Sequence, residues 1–477
     1  MKGAISAGSP SAAHAGAEIL RSGGNAVDAL IAAQLSACIA EPMLTGLAGA
    51  GLAIVQEEDK VEILDCFTVC PSNRGAVKPK KVPITFGEVV QDFYIGWGSV
   101  AVPGLPRGIV ELHGRYGSLP LADLAIPALQ QAKSGVQITK GMASILDILM
   151  PIFVDNPMLV GLLCKNGKSL KEGDTYYNPY SVDDLQSYIS NPWNFLIEGR
   201  HSHQLKIIED QTTLIAEDCS NYKPIWREPI VCNWNGAKIF MPPPPSSGGI
   251  MLEHAIHCAN EYQLPFQTSE VIEILLQIGK LSRKELDTAV YQRSAGMTTH
   301  ISVVDSDGRL AGLTSSLGES AGELLPESGL LFNNFLGETD VYPPHLRSTI
   351  QSGQRLMTMC TPTIVHSGMN KSVMGAGGSS RIRSAIFHGI HQSILNINAK
   401  KIVSGPRIHC EGKEIYIETF NSKTNKDYCE QNFDSVIEFD EMGVFFGGLN
   451  LAKVNKELCI ISGASDPRRS GATIICN

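Results

Sequence analysis

The sequence predicts an α+β protein, with helices and antiparallel hairpins packed in layers. Three observations carry this. Two helical segments open the chain with no strand between them. Hairpin-like strands recur further on, and the stretch after Met297, MTTHISVVDSDG, is the clearest. No strict strand–helix–strand rhythm connects them, as a doubly wound parallel sheet would require.

The elements follow in chain order. Ser11 to Arg21 has helical apolar spacing and stops at Gly23-Gly24, a C-terminal stop signal. A second helix, AVDALIAAQLSACIA, starts at about Asn25 and ends before Pro42. It is apolar on nearly every face, which predicts burial all round. GLAGAGLAIVQ (46–56) is a glycine turn into a strand, and VEILDCF follows. Residues 104–165 read as several helical pieces, around AIPALQQAK and ASILDILMPIF, and residues 190–240 are mixed. MPPPPSSGG at 241–249 is the strongest local punctuation and reads as a linker. Residues 280–297 are polar and read as exposed. In the 298–317 hairpin, Thr298, Thr299, Ile301, Val303 and Val304 favour extended backbone, and Asp305-Ser306-Asp307-Gly308 supplies the turn. GAGGSSRIRSAIFHGIHQSILNI is a glycine turn into an amphipathic helix starting near Ser379. KEIYIETF reads as a strand, and ELCIISGASDPRRSGATIIC as strand–turn–strand.

Composition narrows the function. The 477 residues are 43% hydrophobic and 18% charged, enough for a sizeable core. A formal charge of −9 with scattered basic residues argues against nucleic acid or an anionic membrane as partner. The N-terminus has no sustained apolar run, and no stretch reaches about 18 uninterrupted apolar residues. The twelve cysteines are dispersed without a CxxC, and Cys38, Cys258, Cys459 and Cys476 sit in apolar contexts. Reduced, buried thiols in a cytoplasmic protein are the expectation. The histidine pairs His201/His203, His254/His257 and His388/His391 come without a third ligand, so no metal is expected.

One residue type at one place suggests chemistry. If the bond before Thr298 is cut, the threonine carries a hydroxyl and a free α-amine together. Such an amine titrates near about 7.7–8.0 and can take the proton of its own hydroxyl. A second hydroxyl should orient the first, and Thr314 or Ser316 across the hairpin can supply it. Backbone N–H groups of Gly375-Ala376-Gly377-Gly378, ahead of a helix, suit an oxyanion. The same loop could instead bind phosphate, but it lacks the lysine–serine ending of a P-loop. The plain alternative is a β-forming threonine beside a tight strand-to-helix turn.

Taken together, the motifs resemble the γ-glutamyltranspeptidase family of N-terminal-nucleophile (Ntn) hydrolases. The resemblance runs over nearly the whole chain. It is carried in order by AEILRSGGNAVDALIAAQLSACIAEP, SVAVPGLPRGIVELHGRYGSLPL, MPPPPSSGG, TTHISVVDSDG, ESGLLFNN, PTIV, GAGGSSRI and ASDPRRSG. It implies a four-layer αββα sandwich, residues 1–477 forming one composite domain from a precursor that cuts itself between Met297 and Thr298. Residues 1–297 would become the large chain and 298–477 the small one, remaining associated as each other's partner. Thr298 would be the nucleophile, Ser316 the hydroxyl that bonds it, and Gly377 and Gly378 the oxyanion glycines. MPPPPSSGG would then belong to the large chain rather than to a linker.

The resemblance weakens at the substrate. Phe67, in LDCFTVCP, stands where the transpeptidases carry the arginine that pairs with the substrate's α-carboxylate. A ring cannot replace a bidentate guanidinium. Phe335 replaces a polar residue, Gly318 an asparagine, and Met357-Thr358 the paired serines. Glu338 stands for an aspartate and, with Thr358 and Asn334, keeps the polar part of the clamp. Arg74, Arg381 and Arg383 are candidates for the missing charge.

The expectation is therefore a γ-glutamyltransferase or glutathione-hydrolase-like enzyme. Its Thr298 forms an acyl-enzyme from a small amide, released to water or an amine, with no cofactor. The alternatives are an acylase of cephalosporin-acylase type with a non-glutamyl acyl group, and an uncleaved, non-enzymatic binding protein.

Overall fold

A computed structural model describes residues 2–86, 89–266, 268–284, 297–338, 350–418 and 423–477. Ser9 caps the helix Pro10–Arg21, its hydroxyl accepting from the Ala12 amide. Asn25 and Asp28 form a reciprocal capping box on the helix Ala26–Ala40. Asp305, from the predicted hairpin turn, accepts from the Ala26 amide at 2.9 Å and ties the hairpin to that helix.

Two antiparallel sheets form the centre. The first has seven strands in the order Ile225–Arg227, Lys60–Cys66, Ala50–Glu57, Leu310–Gly318, Met297–Asp305, Gly3–Ala7 and Ala472–Cys476. The second has six, in the order Ile230–Trp234, Ala237–Met241, Thr363–Ser367, Asn370–Gly377, Gly448–Asn455 and Ile460–Ala464. The predicted strand–turn–strand at the C-terminus is real, but its arms lie in different sheets.

Three apolar cores show the layering. Ile5, Leu30, Ile31, Ile301, Val303 and Leu313 pack the first sheet against helices. Ile239, Met251, Ile256, Met374, Ile386 and Leu449 do so for the second. Between the sheets, Ala4, Ile54, Val304 and Leu310 of the first meet Phe240, Ile364, Val373 and Ala452 of the second. The order is helix, sheet, sheet, helix: the α+β sandwich expected from the sequence. Every residue of the two hairpin strands is buried because each face of that sheet is covered. Alternation then fixes the directions: Ile301 and Val303 point to the helices, and Val304 to the other sheet.

Four sequence expectations need correction. MPPPPSSGG is not a linker: it turns the strand Ala237–Met241 into the helix Ser247–Ala259, with Ser246 capping Gly249 N. The segment read as exposed ends at a buried Met297, the first residue of a fully covered strand; its residues 285–296 lie outside the described ones. The helix after the glycine turn begins at Arg381, because Gly378 (φ 127°) and Ser379 (φ 48°) have left-handed backbone. The cysteines are unpaired as expected, but Cys459 is exposed in a turn and Cys258 is half-buried. No helix among the described residues is long and apolar enough to cross a membrane.

Candidate active site

Thr298 is the second residue of its strand and sits opposite Ser316, while Met297 sits opposite Gly318. The pairing therefore skips Leu317, and the irregularity falls at the Met297–Thr298 peptide. The slip lets one hydroxyl serve two groups. Ser316 Oγ donates to the Met297 carbonyl at 2.8 Å and accepts from Thr298 Oγ1 at 3.3 Å. It also accepts the Gly318 amide at 2.9 Å, which fixes its position. Thr314, the other hydroxyl considered, is taken by His300 Nδ1 at 2.8 Å.

The second sheet reaches this point through glycines. A side chain at Gly377 would run into the Thr298 carbonyl, and one at Gly447 would run into the carbonyl of Gly377. Gly377 therefore lies directly beside Thr298, and Gly378, the next residue, lies against Gly447.

The predicted substrate contacts fall into two groups. Phe67 and Phe335 pack ring against ring, centroids 4.8 Å apart, within a buried cluster that includes Leu52, Ile350, Leu356 and Cys360. Asn334 accepts the Glu319 amide at 2.8 Å, and its Nδ2 donates to the Glu319 carboxylate at 3.3 Å. A Cβ at Gly318 would stand 2.8 Å from Glu338 Oε1. Thr358 is held by the proline segment: its amide donates to the Pro245 carbonyl, and its carbonyl accepts from Ser247 N.

The arginines proposed for the missing charge are placed differently. Arg383 is buried in the second core, donating to Glu411 and to the Cys410 carbonyl. Arg74 lies by Cys70, at the edge of the Phe67 cluster. Arg381 stacks on Phe445 and donates to its carbonyl, while its charge acts on Glu319.

Comparison with known proteins agrees with this arrangement. The gamma-glutamyltranspeptidase family model matches residues 12–287 and 280–476. The chain belongs to the γ-glutamyltranspeptidase family. The acylase ACY 1 proenzyme of Pseudomonas sp. (strain V22) is 25% identical, over 87% of this chain and 84% of that one. The glutathione hydrolase proenzyme of Pseudomonas aeruginosa is 24% identical, over 99% and 94%. A crystal structure of cephalosporin acylase from Bacillus halodurans superposes with a TM-score of 0.83 at 20% identity, covering 99% and 95%, which shows a shared fold. The γ-glutamyltranspeptidase family thus contains hydrolases and acylases about equally close to this chain.

Within this family frame, the structure adds residues that sequence reasoning missed. Arg469 Nη1 donates to the Thr298 carbonyl at 2.9 Å from a buried position. Burial lowers its pKa to about 10, and Asp466 and Glu41 oppose that. Glu41 is itself buried beside Thr299; burial raises its carboxyl, while Thr299, Ser9 and Arg469 pull it back. His300 bonds Thr314 and Ser302 on the two sides of its ring, and burial lowers it to about 3, so it is neutral. Glu319, fully buried, is pushed up to about 7 by desolvation, against the Asn334 amide and the Arg381 charge. Arg469 lies within the quoted ASDPRRSG motif and His300 within TTHISVVDSDG, so their blocks were visible although their roles were not.

Proposed function

We propose that the chain is a self-processing threonine amidohydrolase, cut between Met297 and Thr298. The observation that carries this is the single Ser316 hydroxyl shared between the Met297 carbonyl and Thr298 Oγ1. Its donated proton draws charge onto the carbonyl oxygen and makes the carbon a better electrophile. Thr298 Oγ1 then bonds to that carbon, the Met297–Thr298 C–N bond breaks, and the threonine nitrogen takes up the hydroxyl proton. Water hydrolyses the resulting ester, which gives Met297 its carboxylate, returns the Thr298 hydroxyl and leaves the amine free.

The freed amine, titrating near about 7.7–8.0, serves as base for the same hydroxyl. In each turnover Oγ1 attacks a substrate amide, the amine carries the proton to the leaving nitrogen, and an acyl-enzyme remains. Gly377 and Gly378 supply N–H groups to the oxyanion. Water or an amine acceptor releases the acyl group. By family, the first substrate class is a γ-glutamyl compound such as glutathione, with Glu338, Asn334 and Thr358 as contacts. A second reading, an acylase with a non-glutamyl acyl group, is favoured by the buried Phe67–Phe335 pair.

Denaturing electrophoresis with intact mass, on purified protein beside Thr298→Ala, tests the core of this. Two fragments meeting at Met297/Thr298, absent in the variant, are expected. One uncut chain in both would overturn the proposal. Product analysis with glutathione and a panel of acyl amides separates the two substrate classes.

A further inference from the structure

A cavity of about 400 Å³ lies in the helical layer that covers the second sheet, whereas Thr298 belongs to the first sheet. Three segments enclose it: the helix Thr268–Lys284, the helix Arg381–Ile394, and the chain from Lys401 through the strands Ile408–Glu411 and Glu414–Ile417. Phe266, Val271, Leu275, Phe387, Ile408 and Ile417 give it apolar walls. Small-molecule sites have this makeup, an apolar lining with a few placed polar groups, in cavities of about 300–1,000 Å³.

The polar groups come largely from one stripe. Ser384, His388 and His391 are spaced i, i+4 and i+7 on the helix Arg381–Ile394 and share the face that lines the cavity. Ser384 is already bonded, its Oγ 2.8 Å from His409 Nδ1. His391 is only partly so. Its ring stacks on Phe266, centroids 4.6 Å apart, and its Nδ1 accepts from Gln392 Nε2 at 3.5 Å. That puts the ring proton on Nε2, which is buried and has no hydrogen-bond partner among the described residues. Burial lowers His391 to about 4 and His388 to about 3, so both rings are neutral near pH 7. A buried donor left unpaired is costly, and an acceptor carried by a ligand relieves it.

Among the described residues that line the cavity, Lys401 alone is charged. It is exposed, as is Pro406, which marks the mouth, and it has no ion pair among the described residues. The cavity thus offers a cation at its mouth, a neutral N–H donor and aromatic walls, and no carboxylate. We propose that it binds a monocarboxylic acid with a compact apolar body, the carboxylate accepting from Lys401 and His391 and the body lying against Phe266 and Phe387.

Isothermal titration calorimetry of the purified full chain with 4-phenylbutyrate, 4-phenylbutan-1-ol and 4-phenylbutylamine tests this. The acid should bind about fivefold tighter than the alcohol, the worth of one exposed ion pair, and the amine should bind weakest. Lys401→Met, at an exposed position, should bring the acid down to the alcohol and leave the alcohol unchanged. Val271→Trp, which fills the cavity, should abolish binding of both. An acid-to-alcohol ratio unchanged in Lys401→Met would overturn the proposal. So would acid binding unaffected by Val271→Trp, or no binding of 4-phenylbutyrate at millimolar concentration. If Val271→Trp does not fold, Lys401→Met decides alone. Binding here needs no cut at Met297, so absence of processing would overturn the amidohydrolase reading and leave this one intact.

Discussion

The two sides of the candidate site are built on different rules. Around Thr298 the side chains are small and hydroxylated, and they bond to neighbours at 2.8–3.3 Å. Around Phe67 the side chains are rings and aliphatic chains, and the hydrogen bonds there go to the Phe67 backbone. Bond cleavage tolerates little change in geometry, because a carbonyl, a hydroxyl and a proton acceptor must meet at fixed distances. Recognition tolerates much more, since an apolar cluster can replace a polar clamp and still pack. The contrast explains how a family can hold both glutathione hydrolases and acylases on one fold.

The strongest way to break the comparison is to remove the hydroxyl on the polar side. Thr298→Ala should abolish both fragment formation and amide turnover, read by intact mass and by product release. On the apolar side the expected loss is of stability. Phe67→Ala should lower unfolding free energy by about 3–5 kcal/mol, since it opens a cavity against Phe335. Chemical denaturation checks this, and an unchanged midpoint would mean the ring is not part of the core. Ser316→Ala, which removes the proton donated to the Met297 carbonyl, should slow fragment formation by about 10²–10³-fold. A time course by electrophoresis measures it. A wild-type rate would show that the Ser316 bond does no more than hold the hairpin register.

The two sides also differed in how far they could be read from sequence. The meeting of Thr298 with Ser316 and Gly377 was legible because these residues fall in recognisable blocks, and hairpin pairing brings Thr298 opposite Ser316. Phe67 and Phe335 were legible only as departures; that their rings touch across 268 residues of chain is a tertiary fact. Glu319 and Arg469 stand in plain sequence, yet nothing local distinguishes a buried charge from a surface one. Of the two readings of MPPPPSSGG, the linker fails for a related reason and the reading that keeps it within the fold holds: its prolines do end a strand, but the cap from Ser246 continues the chain straight into a helix. The helix Ala26–Ala40 was easy because it is apolar on all sides and properly capped, so local and tertiary signals agree.

Arg469 bridges the two kinds of reading. It holds the carbonyl of Thr298, the proposed nucleophile, and it comes from a different element. Arg469→Met should slow fragment formation by roughly tenfold to a hundredfold, the worth of one hydrogen bond from a charged group. Lysine, a single point charge at the end of a flexible chain, should recover part of this. Equal processing by Arg469→Met and wild type would confine the arginine to packing.

The smallest effect is in pH dependence, where two buried groups on the polar side, His300 and Glu319, should pull in opposite directions. His300 is ordinarily protonated below about 6.5 but in the fold only near 3, so the unfolded chain binds more protons between those values. Stability on that account falls as pH drops from 6.5. Glu319 has an ordinary value of 4.5 and a folded value of about 7, so the folded chain binds more protons in that window. Stability on that account falls as pH rises from 4.5 to 7. Glu323, also raised to about 7 by burial, acts in the same direction and makes Glu323→Gln the natural control. Replacing Glu319 by glutamine removes the group that ionises while keeping its shape. The difference in thermal midpoint, variant minus wild type, should therefore grow in the variant's favour from pH 4.5 to 7. A difference that stays constant over the series would mean that Glu319 ionises as freely in the fold as in water.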